Sequence, residues 1–213
     1  MPLLNDRPAS PPADLKQACV EAARAIIAER GVEQLSLREV SRRLGVSHQA
    51  PYKHYASRDH LLAEVMRRCF ESFAQALDAR PRHDDPAADL DALGRRYLEY
   101  AAAHPLEYRL MFATPWPEPA AHPALVRDAG HAFDVLRGVL RRLHGGRAPR
   151  ERIDTQAMYI FALVHGLASI AQSNLMDGLD LAPALRAGLH EHVMALSKPA
   201  LQPPPGRART PAR

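Results

Sequence analysis

The run Gly45-Val46-Ser47-His48-Gln49-Ala50-Pro51-Tyr52-Lys53-His54-Tyr55 is the densest polar and aromatic stretch of the chain. Its residue types suit contact with DNA. Gln49 carries the paired donor and acceptor that match adenine in the major groove, and His48 can offer either role to a base edge. Tyr52, Lys53 and His54 suit phosphates or base edges at the groove wall. Arg38 and Arg42 upstream and Arg58 downstream are candidates to neutralise flanking phosphates. Ala50 and Tyr55 are expected to turn inward and pack.

Such side chains can read a groove only from a defined element. Ser36 followed three residues later by Glu39 forms a capping box, and Leu37, Val40 and Leu44 then line one face of a helix of about eight residues. Gly45 ends that helix, where only glycine enters the left-handed region without strain. Val46 fills the corner, and Ser47 caps the next helix. This helix, turn and helix is the signature of a helix-turn-helix, whose later helix lies in the major groove. Pro51 first argues against a helix here, since it removes a backbone donor and clashes with the preceding turn. With Ser47 or His48 as N-cap, however, Pro51 falls in the first turn, where the backbone N–H groups have no partner within the helix. The proline thus limits how far upstream the helix can begin.

The remaining ordered segments also have helical period. Leu15, Cys19, Ala22, Ala23, Ile26 and Ile27 mark an amphipathic helix closed by Gly31 and begun at Ala13 or Asp14. A long helix from Ser57 or Arg58 carries Leu61, Leu62, Val65, Met66, Cys69, Phe70, Phe73 and Leu77, and it dies out in the charged, proline-punctuated stretch ARPRHDDPAAD. Four or five helices are expected beyond it, including residues 87–103, Pro123 to Leu143, 150–176 and 181–197. The run TPWPEPAAHP reads as a loop. No segment alternates with period two, so the fold class is all-α. The expected division is an N-terminal arm over residues 1–13, a DNA-binding domain over 14–60, a helical domain over 61–198 and a basic, proline-rich tail over 199–213, with arm and tail disordered. The linker near 80–86 marks a boundary within that scheme.

The 213 residues suffice for a sizeable core, and the net charge of +4 leans weakly toward a polyanionic partner. The start, MPLLNDRPASPPAD, lacks a basic opening and an apolar core of signal-peptide length, so a cytoplasmic protein is expected. No continuous apolar run of about 18 residues suggests a membrane span. The two cysteines, Cys19 and Cys69, read as buried thiols. The eleven histidines are scattered, and His190-Glu191-His192 sets its imidazoles about 200° apart on a helix. No metal site, cofactor or catalytic residue is expected, and no nucleophile elbow, phosphate loop or dinucleotide fingerprint appears.

The order SLREVSRRLGVSHQAPYKHYASRDHLLAEV resembles the DNA-binding domain of the TetR (tetracycline repressor-like) bacterial transcription regulators. The residues that carry the resemblance are Gly45, Val46, Ser47, Tyr52, His54, Tyr55 and Arg58-Asp59, across roughly residues 14–66. Tyr55 stands where phenylalanine is usual, and Arg58 where lysine is common. HPLEYRLMF and FALVHGLASI resemble a subgroup with a Trp…His-Gly signature. His165-Gly166 is present, and Phe161 stands where tryptophan is expected.

The resemblance implies an N-terminal three-helix DNA-binding domain joined by a long fourth helix to a C-terminal domain that binds an effector and dimerises. The implied function is a ligand-responsive regulator, a repressor that binds a near-palindromic operator as a homodimer and is released by a small, largely apolar effector. Its dimer would form through the helices at 150–176 and 181–197. Met111, Phe112, Trp116, Phe133, Met158, Phe161 and His165 are large, adaptable or aromatic residues on helices expected to surround a central cavity. Plain core packing is the competing reading for each. Two other readings stay open. One is an all-α carrier or enzyme whose N-terminal bundle is only structural. The other is a DNA-binding protein whose second domain only dimerises.

Overall fold

A computed structural model of the chain describes residues 14–173, 178–184 and 188–201. The expected arm at 1–13 and the tail from 202 onward lie outside the described residues, while 199–201 end a helix rather than begin the tail. Among the described residues the secondary structure is helical throughout, as the periodicity predicts.

Helix α1 spans Leu15–Arg30. The Asp14 carboxylate accepts from the Gln17 N–H at 3.0 Å, and Gly31, at φ 87°, donates its N–H to the Ile27 carbonyl. Cys19, Val20, Ala22, Ala23, Ile26 and Ile27 face the core. Helix α2 spans Leu37–Leu44 and begins as the capping residues predict, with Ser36 Oγ accepting from the Glu39 N–H at 3.1 Å. The Glu39 carboxylate turns to Arg42 and Arg30. Gly45 ends the helix in the left-handed region at φ 64°.

Helix α3 spans Arg58–Asp78, α4 Pro86–Ala103, α5 Pro105–Phe112, α6 Pro123–Leu143, α7 Arg150–Ala171 and α8 Leu189–Leu201. The helix expected at 150–176 therefore ends at Ala171. The one expected over 181–197 starts later, at Leu189, although 183–184 are also helical. By length and composition alone α7 could cross a bilayer, which amends the reading that no segment is apolar enough. Its Ile153, Ala157, Ile160 and Val164 are buried, as in a core helix.

The chain divides into two compact units. The first takes the residues up to Ser72 together with Leu106–Ala129; the second takes Phe73–Pro105 and everything from Gly130. The reason for the first grouping is visible in its packing. Phe112 and Trp116 set their rings edge-on to Phe70 of α3, at 5.7 Å and 5.3 Å. Arg24 pairs with Glu107, and Arg67 with Asp128 at 2.9 Å. A segment distant in sequence thus returns to the N-terminal core.

In the second unit Phe73 meets Tyr97 and Tyr100 of α4, with ring centroids 5.1 Å and 5.0 Å away. The charged stretch after α3 is not a solvated linker throughout. Arg80 and Asp89 are buried, joined at 3.2 Å, and Arg142 of α6 reaches the same carboxylate oxygen at 2.7 Å.

Candidate nucleic-acid interface

Between α2 and α3 the backbone winds more tightly than expected. Pro51 has no N–H to give the Ser47 carbonyl, so an α-helical bond cannot form there. The Ser47 carbonyl instead accepts from the Ala50 N–H at 2.9 Å, three residues on, and the Ala50 carbonyl accepts from Lys53 at 3.3 Å. Pro51–Lys53 form a 3-10 turn, and the Pro51 carbonyl accepts from both His54 and Tyr55 at 3.0 Å. This corrects the expectation of a helix running from His48. Ala50, not Ser47, stands before the helical turn, and no side chain caps it. Pro51 does sit at its first position.

This tight winding sorts the side chains. Pro51 and Tyr55 are buried, and the Tyr55 hydroxyl donates to the Lys16 carbonyl of α1 at 3.1 Å. Burial pushes that phenol up to about 12, so it stays a donor at any physiological pH. Ser47, His48, Gln49, Tyr52, Lys53 and His54 are all exposed. The rings of His48 and Tyr52 lie side by side, with centroids 5.8 Å apart. Arg38 is exposed on α2 as well.

Arg58 is placed otherwise. Its guanidinium donates to the carbonyls of Leu35 and Val32 at 3.1 Å and 2.8 Å, and to Asp59 at 3.0 Å. It fastens the start of α3 to the turn that follows α1, so these carbonyls already engage the guanidinium expected to meet a phosphate. Arg42 is paired too: Glu39 accepts from it at 2.8 Å and 2.6 Å. The Arg42 guanidinium holds the Glu39 carboxyl down at about 2. Glu29 takes both ends of the Arg43 fork at 2.7 Å and 2.5 Å.

The residues expected around an effector are distributed over both units. In the first, Met111 is buried, and its carbonyl accepts from the Trp116 indole at 3.0 Å, while Trp116 and Phe112 pack on Phe70. In the second, Phe161 meets Phe133 at 6.1 Å and stacks on His165 at 5.6 Å. The His165 Nδ1 lies 3.4 Å from the Tyr97 hydroxyl. Met158 faces outward at 56% exposure, beside Arg150, Asp154 and Thr155. A cavity of about 570 Å³ opens between α4, α7 and α8, lined by Leu98, Ala101, Pro105, Leu167, Gln172 and Leu189 among others. None of the residues singled out from sequence lines it. Two residues escaped the sequence reading. Tyr97 was legible only as one more apolar position of α4, and Gln172 follows the end of α7 with its amide on the Ala101 carbonyl at 3.0 Å.

Burial lowers the pKa of His165 from its ordinary 6.5, because a charged imidazole loses its hydration there. The unfolded chain then binds a proton more readily than the folded one. Stability from this site is complete above pH 6.5 and drains away as the pH falls through the lower folded value. Urea midpoints measured at pH 7.5 and 5.5 should differ more for the wild type than for His165→Gln; an equal drop in both would remove His165 from the acid response. Both thiols are held protonated by burial, Cys69 up at about 12.

Comparison with known proteins agrees with the geometry of the N-terminal turn. Residues 20–65 match the family model described as bacterial regulatory proteins, tetR family. Residues 90–196 match the model described as tetracyclin repressor-like, C-terminal domain. HTH-type transcriptional regulators of Mycobacterium tuberculosis and Mycobacterium bovis are 32% identical over 121 residues, which cover 55% of this chain and 50% of each relative. The chain thus spans about half the length of the curated relatives it matches. A solved structure from Rhodococcus sp. RHA1, described as a protein with unknown function, superposes with a TM-score of 0.68 at 25% identity, covering 92% of this chain and 97% of that one. A transcriptional regulator from the same organism gives 0.60 at 27% identity, with 88% and 96% covered.

Proposed function

Because the chain belongs to the tetR family of bacterial regulatory proteins, we propose that it binds a near-palindromic operator as a homodimer, through the segment Ser47–His54, in the cytoplasm. The observation that carries this reading is the sorting of that segment. Its polar and aromatic side chains face outward, while Pro51 and Tyr55 anchor it inward. A surface built only for solubility would not need a buried tyrosine hydroxyl bonded to α1 to fix its backbone.

Gln49 and His48 meet base edges, and Tyr52, Lys53, His54 and Arg38 meet base edges or phosphates. Ser47 lies at the start of the turn, where its backbone sets the approach. The outward face of α7, with Met158 and Tyr159 both exposed, and α8 supply the surface for a second copy. A two-fold dimer then presents two reading segments about one helical turn apart on DNA. Met158 belongs to that interface rather than to an effector site. The effector is small and largely apolar, in keeping with the lining of the second unit's cavity. It releases the operator by binding better to the conformation that fits DNA less well, so the protein acts as a repressor.

Retardation of operator DNA across a salt series tests the reading. The logarithm of affinity should fall with the logarithm of salt at a slope steeper than about −3, as counterions leave the phosphates held by two heads. A flat line would contradict it and favour a carrier.

A further inference from the structure

We propose that His48 and Tyr52 together read thymine by its 5-methyl group. The inference rests on the DNA-binding role proposed above and deepens it by naming one base of the half-site. The two rings form a pair at 5.8 Å with their planes tilted by 33°. Both side chains are exposed, Tyr52 to 44%. Pro51 and Tyr55, on either side of Tyr52 in sequence, are buried. The pair is therefore an aromatic ledge on an anchored backbone, turned away from the core.

The chemistry of the groove selects what such a ledge can grip. Each base pair presents donors and acceptors in the major groove, and the 5-methyl of thymine is the apolar feature among them. Gln49 and Lys53, each next in sequence to one of the rings, already supply hydrogen-bonding groups for the polar positions. Two ring faces add nothing to a hydrogen-bond code, but they shield a methyl group from water. The half-site should therefore carry a thymine next to the positions met by Gln49 and Lys53. Tyr52 could otherwise spend its hydroxyl on a phosphate, and the two roles separate cleanly by experiment.

The test uses the full-length dimer and an operator fragment selected by the wild-type protein, synthesised with thymine or with uracil at each half-site thymine in turn. Uracil keeps every hydrogen-bonding group and every phosphate and removes only the methyl. Wild-type affinity should fall about three- to five-fold at one uracil, and about tenfold or more when both symmetric positions are changed. Tyr52→Ala should bring the thymine-to-uracil ratio close to one, and Tyr52→Phe should keep that ratio above one. A wild-type protein indifferent to uracil at every position overturns the inference, and a loss of affinity in Tyr52→Phe would then assign the hydroxyl to a phosphate. A ratio undiminished in Tyr52→Ala overturns it as well. Absence of any sequence-specific retardation by the wild type would instead overturn the DNA-binding reading itself, and this inference with it.

Discussion

Replacing Gln49 and Lys53 together with alanine should weaken operator binding by about a thousandfold or more, since each well-placed contact is worth about 1–3 kcal/mol and the proposed dimer forfeits both contacts twice. The fold should be untouched. Both side chains are exposed, and surface substitutions of that kind usually shift stability by less than about 0.5 kcal/mol. The single variants should fail in different ways. Lys53→Ala should weaken binding to all sequences and make the salt slope shallower by about one for each phosphate that is no longer neutralised. Gln49→Ala should leave the slope alone and relax the preference at one base pair. Retardation and circular dichroism on the same preparations separate these outcomes from unfolding.

The second large effect is on stability. Asp89 is fully buried, and the Arg80 side chain is only 4% exposed. Their ion pair at 3.2 Å is joined by Arg142 at 2.7 Å, and Arg142 also donates to the carbonyls of His83 and Asp84. Asp89→Ala would leave the Arg80 guanidinium buried with no carboxylate beside it, a situation that costs about 3–5 kcal/mol. The urea midpoint should fall accordingly with little change in slope. Asp89→Asn, which keeps the shape and an acceptor but not the charge, should fall between. A loss below about 1 kcal/mol in the alanine variant would mean that water reaches the cluster and that the pair is not a strut.

That cluster also shows where sequence reading stops. ARPRHDDPAAD looks like a solvated linker because charge and proline usually mean a loop. The Asp89 carboxylate is shared with Arg142, 53 residues further along the chain, and no local pattern signals such a partner. Arg58 likewise has partners that are distant in sequence. An arginine at the start of a helix beside a turn suits a phosphate, but the carbonyls it holds, Leu35 and Val32, lie more than 20 residues upstream.

By contrast, the helices of the N-terminal unit follow from local rules. The Ser36 cap and the left-handed Gly45 both stand where spacing puts them. The inward turn of Tyr55 was legible too, and the structure explains why tyrosine is suited there: its hydroxyl finds the Lys16 carbonyl. The pitch of the reading segment was only half legible. Its proline was correctly placed at a helical start, but the start came three residues later, because a missing N–H at Pro51 tightens the turns around it.

The cavity of the second unit was the least legible feature. Large aromatic side chains mark a core as readily as a pocket, and Trp116 and Phe161 pack in separate clusters about Phe70 and Tyr97. The cavity in the second unit is walled mainly by alanines and leucines, whose sequence signal is the same as ordinary helix packing.

The central claim is that the exposed side chains of Ser47–His54 read DNA. Its most direct test is selection of bound fragments from the host genome, with wild type and the Gln49→Ala, Lys53→Ala double variant in parallel. The account predicts that the wild type enriches a near-palindromic sequence and that the double variant, equally folded, enriches nothing above background. Recovery of the same fragments by both proteins would contradict it.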